Sequence, residues 1–160
     1  MDPISVLSTN FTSLANVYVC EQLSYVLLYN LALAHHLRAI TEQDLPKRTL
    51  RLQKALALYE HAHSVLINST SSSASRREEG EEGVLQVSLV HTMAIASNLA
   101  HVHSQLGNKA QSRLCLEHLL STILYIVDCG EGGKLYMLDG FCSIVMPLLA
   151  SGLPHPAPAA

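Results

Sequence analysis

The chain has no tryptophan and only two phenylalanines beside six tyrosines. That is too little for the aromatic platform on which single-stranded nucleic acid stacks. Charge is scarce too. Asp, Glu, Lys and Arg make up 14% of the residues and the net charge is −3, against about a quarter charged in an average domain. No basic stripe appears, so nucleic acid is not expected as a partner. There is no C-x-x-C pair. Four cysteines (Cys20, Cys115, Cys129 and Cys142) in 160 residues do not make a disulfide scaffold. They read as reduced, mostly buried thiols of an intracellular, cytoplasmic protein. Long apolar runs are missing as well. Leu23 to Ala34 is the longest, is interrupted by Asn30, and falls short of the ~20 residues a membrane span needs. Met1-Asp2-Pro3 opens no basic, apolar leader, so no membrane role is expected.

What is present is helical periodicity. The apolar fraction is 49%, normal for a folded domain, and 160 residues are enough for one core. Residues 1–17 are weakly patterned and are expected to be a loosely ordered lead-in. Residues 18–40 read as a helix that is apolar almost all round. A connection follows at 41–46, with Asp44 as N-cap and Pro46 in the first turn of the next helix. That helix, 46–67, carries a stripe of Leu52, Ala55, Leu56, Tyr59, Ala62 and Leu66. Residues 68–83 are Ser- and Glu-rich with no large apolar side chain, and read as a disordered loop. A third helix is expected at 84–106 and a fourth at about 109–127, separated only by Gly107-Asn108. Cys129-Gly130-Glu131-Gly132-Gly133 stops the fourth. A capping segment at 135–150, interrupted by Asp139-Gly140, completes a single domain over 18–150. Residues 151–160 form a disordered Pro/Ala tail.

The stretch from Ser97 to Leu120 is an αα-hairpin in sequence form. Asn98-Leu99-Ala100 in its first helix is echoed by Asn30-Leu31-Ala32 upstream. These units resemble tetratricopeptide (TPR) repeats, helix–turn–helix units of about 34 residues. In the second unit Ala100 falls in the small-residue slot, Gly107-Asn108 in the turn, and Ser112, Leu116 and Leu119 in the small, bulky and alanine slots, where Leu119 is oversized. In the first, Ala32, Ala55, Tyr59 and Ala62 match, with an insertion at 40–46 in place of the glycine turn. The layout is similar to that of short TPR-like proteins of algae, which bring a fold and no activity. The expectation is therefore all-α: two helix pairs plus a C-terminal capping helix in a short right-handed array. The signature residues are Asn30, Ala32, Ala55, Tyr59, Ala62, Asn98, Ala100, Gly107 and Leu116.

Chemistry is hard to find in the pattern. Nine histidines invite a metal reading, but His35-His36, His61/His63 and His101/His103 are spaced one or two apart, and helical ligands need three or four to share a face. Only Cys115 with His118 has that spacing, and zinc would need two further ligands. His35 and His103 read as core or interface histidines. No Gly-x-Ser-x-Gly appears. Gly130 to Lys134 fails as a phosphate loop because Leu135 follows the lysine. No catalytic residue, metal or cofactor is expected. The resemblance instead implies a groove lined by the first helix of each pair: Tyr29, Leu33 and His36, then Ser97, His101, Ser104 and Gln105. The function expected is protein–protein interaction, a scaffold role in which the groove takes a peptide or helix of an unidentified protein. A homodimeric, homo-oligomeric assembly protein is the second reading. A small metal-dependent regulator or enzyme using Cys and His is the third.

Overall fold

A computed structural model describes the backbone of residues 3–74, 82–128 and 138–152, and the side chains of 19–69 (except 21), 89–128 and 138–146. Every described element is helical: α1 (Pro3–Thr41), α2 (Leu45–Ala74), α3 (Glu82–Gln105), α4 (Lys109–Asp128) and α5 (Asp139–Gly152), with no strand among the described residues. The single domain expected over 18–150 resolves by contact into two compact units, Met1–Ser88 and Leu89–Ala160.

In the first unit α1 and α2 pack on small residues. Ala32 and Ala39 of α1 and Ala55 and Ala62 of α2 are each fully buried, with Tyr25, Leu52, Tyr59 and Leu66 beside them. The buried positions of α2 fall at 52, 55, 59, 62, 66 and 69. That alternation of three and four keeps one narrow seam facing the partner helix. Alanines along it let the backbones approach. The reversal needs no glycine. The Asp44 carboxylate accepts from the Lys47 amide at 3.2 Å, which caps α2, and its carbonyl accepts from Arg48 N–H at 2.8 Å. The Asp44 amide in turn donates to Glu42 Oε1. Glu42 also lies 3.4 Å from Arg51 Nε. Side chains thus take up one orphan amide at the start of α2 and, through the Thr41 hydroxyl donating to the Arg38 carbonyl, one carbonyl at the end of α1.

In the second unit the connection between α3 and α4 is glycine chemistry. Gly107 has φ +81°, the left-handed conformation that costs an L-residue energy. The Asn108 amide donates to the His103 carbonyl at 2.8 Å and the Gly107 amide to Ser104 at 3.1 Å, the paired bonds of a Schellman stop. The Asn108 carbonyl then accepts from Ser112 N–H, so α4 begins at once. The core is aliphatic: Met93 and Ala96 from α3, Leu119 and Ile123 from α4, Leu138 and Val145 from the α5 region.

Several boundaries differ from expectation. The lead-in at 1–17 is helical from Pro3 onward. The expected loop at 68–83 is helical through Ala74 and again from Glu82. Ser69 shows how α2 continues into a Ser/Thr-rich segment: its buried hydroxyl donates to the Leu66 carbonyl, one turn back. Asp139-Gly140 opens α5 rather than interrupting it, with the Leu138 carbonyl accepting the Cys142 amide. Pro147 lies within α5, which runs to Gly152. The glycine stop at 129–133, the centre of the Ser/Glu segment and the tail at 153–160 lie outside the described residues.

Candidate functional site

The second unit contains a hollow of about 370 Å³. Helix periodicity builds one wall. Ser97, His101 and Ser104 recur at i, i+4 and i+7 on α3, so they share a face, with Asn98 and Ala100 beside them. Ser112 and Leu116 come from α4 and Ile144 from α5. The floor is small because Ala100 is buried and Ser112 donates its hydroxyl to the Ala100 carbonyl at 2.8 Å. That bond joins α3 to α4 where they cross and occupies the hydroxyl proton of Ser112.

At the rim, Gln105 and His101 are one turn apart and their Nε2 atoms lie 2.8 Å apart. With the amide nitrogen donating, His101 Nε2 accepts, and the neutral ring carries its proton on Nδ1. His101 is exposed and Gln105 half-buried. Among the described residues no charged side chain lines the hollow. It therefore offers neutral donors and acceptors around an apolar patch of Ala100, Leu116 and Ile144.

Of the expected groove residues, Ser97, His101 and Ser104 thus line one hollow, with Gln105 bonded to its edge. Tyr29, Leu33 and His36 are in the first unit, where Tyr29 and His36 belong to the packing between α1 and α2 and Leu33 is half-buried. His36 is only 3% exposed, so it is not available on a binding surface, contrary to expectation. Its Nδ1 lies 3.4 Å from the Tyr59 hydroxyl, and its ring meets Tyr59 edge-on at 6.0 Å. Tyr29 is half-buried, stacked on Tyr25 at 6.0 Å and edge-on to Tyr59 at 5.8 Å. Burial pushes the Tyr25 and Tyr59 phenols well above their ordinary range, and repulsion from Tyr29 adds to this. All three rings serve packing. Of the adjacent pair, His36 is the core histidine and His35 is half-buried. His103 is half-buried with Nδ1 enclosed and no hydrogen-bond partner among the described residues. Burial lowers the pKa of His91.

The signature residues divide in the same way. Ala32, Ala55, Tyr59, Ala62 and Ala100 are core residues, whereas Asn30 and Gly107 are exposed and Asn98 and Leu116 half-buried. Cys20 is exposed, contrary to the expectation of mostly buried thiols, and Cys115 and Cys142 are half-buried. Among the described residues no three His, Cys, Asp or Glu side chains converge as metal ligands, and no helix is long and apolar enough to cross a membrane. Asn98, Ala100, Ser112 and Leu116, expected as repeat-packing residues, also line the hollow, and Ile144 is a lining residue that sequence reasoning did not single out. Its only signal is an apolar position in the last helix, and which hollow that position meets is set by tertiary packing. Comparison of the chain with protein-family models, curated proteins and solved structures returns no match.

Proposed function

We propose that this chain is a TPR-like protein-interaction module without catalysis, and that the hollow beside α3 takes a short segment of another protein. The observation that supports this reading is the composition of the hollow. A neutral polar rim of Ser97, His101, Ser104 and Gln105 surrounds an apolar floor of Ala100, Leu116 and Ile144. Such a rim suits the amides and carbonyls of an extended peptide, and the floor suits one aliphatic side chain seated between them. An uncharged lining favours an uncharged segment, since an ionised one would lose hydration without finding a counter-ion. The α3–α4 hairpin, turning on Gly107-Asn108 and crossing at Ala100 and Ser112, agrees with a TPR-like unit. A scaffold role in the cytoplasm belongs to the same proposal.

The test is selection from a displayed random-peptide library on the full chain. Enriched peptides should carry an aliphatic residue in a neutral context. The double variant His101→Ala, Gln105→Ala should bind them about tenfold more weakly, the scale of one or two lost hydrogen bonds, with its melting temperature unchanged. Absence of enrichment, or binding indifferent to the double variant, overturns the proposal.

A further inference from the structure

Helix α1 has two faces, and only one of them is used by α2. The other is aliphatic and exposed. Val19, Leu23, Val26, Leu37 and Ile40 are between 43% and 57% exposed, and Leu27 and Leu31 of the same helix are 69% and 51% exposed. Their spacing is regular. Counted as heptads, Leu23, Asn30 and Leu37 fall at one core position, and Val19, Val26, Leu33 and Ile40 at the other. The steps alternate four and three without a break over three heptads, the pattern of a coiled-coil seam. The residues that α2 covers, Tyr25, Ala32, His36 and Ala39, take none of these positions. One helix therefore carries two separate seams.

We propose that this second seam is a homodimer interface: two copies of the chain pair through α1, parallel and in register, with Asn30 facing Asn30.

Three observations select a second copy as the occupant. The only charged residues between 19 and 40 are Glu21 and Arg38, and both hold register positions outside the seam and its flanks. The face thus has no charge for a foreign partner to match, and like faces can meet without repulsion. Asn30 is the one polar residue at a core position of the seam, midway between Leu23 and Leu37, and it is exposed. Against a foreign apolar helix its amide would be buried unpaired. Against its own copy each amide finds the other, the arrangement by which a single core asparagine sets register and two-strandedness. The area is also of the right order. Six half-exposed aliphatic side chains in or beside the seam (Val19, Leu23, Val26, Leu27, Leu37 and Ile40), of roughly 100 Å² each, offer up to about 600 Å² on each copy, or about 1,200 Å² for the pair. Asn30, Leu33 and Ala34 add to this, so the seam reaches the ~1,000 Å² total expected of a specific interface. The hollow in the second unit is not involved, so this inference stands or falls apart from the proposed function.

Light scattering on the full chain at micromolar concentration should give twice the 17.4 kDa of one chain. Leu37→Glu should weaken the dimer about a hundredfold, since a carboxylate would be buried in the seam. Its helix content by circular dichroism should be retained, because Leu37 is exposed in the single chain. Asn30→Leu should raise the melting temperature and admit larger assemblies. For direction, Leu23→Cys in a Cys20→Ser background should form a covalent dimer on mild oxidation, while Cys20→Ser alone should not. Parallel pairing brings the two copies of residue 23 within disulfide reach. Antiparallel pairing about Asn30 would hold them about 20 Å apart. A monomeric wild-type chain, a dimer indifferent to Leu37→Glu, or a dimer that never cross-links at residue 23 each overturns the proposal.

Discussion

The two units solve one problem with different chemistry. Both must reverse a helix and hold it against its neighbour. The first turns on side chains, with Asp44 capping α2 and Glu42 bonded to the Asp44 amide and paired with Arg51. The second turns on backbone, with Gly107 left-handed and Asn108 closing the Schellman bonds. Their interiors diverge as well. Alanines and a Tyr–Tyr–His cluster fill the seam between α1 and α2, whereas Met93, Leu119, Ile123 and Val145 make an aliphatic core in the second unit. A turn built on carboxylates responds to pH, and a turn built on a positive φ does not. A core laced with polar rings tolerates a lost hydroxyl better than an aliphatic core tolerates a lost isobutyl group.

The largest effects should come from the closest helix contacts. Ala32→Glu and Ala100→Glu each put an unpaired carboxylate where the wild-type residue is at most 3% exposed. That costs several kcal/mol, a large share of a typical stability of about 5–15 kcal/mol. Each variant should lose its cooperative thermal transition by circular dichroism. A preserved melting temperature for Ala100→Glu would remove the Ala100–Ser112 crossing from the account of the second unit.

Next come the cores. Leu119→Ala should cost about 2–5 kcal/mol in urea unfolding, from lost transfer energy and the cavity left behind. Tyr59→Phe keeps the ring and removes only the hydroxyl beside His36, at about 0.5–1.5 kcal/mol. Equal costs would show that the His36–Tyr59 pair carries more of the first unit than its 3.4 Å separation suggests.

The turns should give the smallest effects, separable by pH. Gly107→Ala should cost about 1 kcal/mol at any pH. A Cβ there meets nothing within 4 Å, so the cost is conformational and not a clash. Asp44→Ala should behave differently. Hydrogen bonds from the Lys47 side chain and amide hold the Asp44 carboxyl below its ordinary 3.8. A group with a depressed folded pKa contributes stability above its unfolded value and loses it as pH falls through the folded value. The gap between wild type and Asp44→Ala should therefore be full at neutral pH and close progressively below about pH 4. Unfolding curves at three pH values would show it, and a gap independent of pH would assign the cap to something other than the ionised carboxylate.

Much of this was legible in the residues. The seam alanines, Tyr59, the Gly107 stop and the Asp44 cap each follow from a local rule of size, φ or capping. Helix ends were less legible. The serines and threonines of 1–17 and 68–74 favour caps and turns in isolation, yet both segments are helical where described. Hydroxyls bonding back to carbonyls, as at Ser24, Thr49 and Ser69, let such residues remain in a helix. The candidate site was half visible. The TPR resemblance names Ser97, His101 and Ser104, and their i, i+4, i+7 spacing is what puts them on one face. The burial of His36 in preference to His35 depends on the phase of α1 against α2, a difference of one residue or about 100°. The contribution of Ile144 requires α5 to be placed, and no local signal places it.

Gly107 terminates α3 while Asn108 initiates α4, so the corner has no slack. One extra residue there would rotate α4 by about 100° about its own axis and swing Leu119 and Ile123 out of the interior. The length of this junction is therefore as much a part of the second unit's design as the identity of any side chain in it.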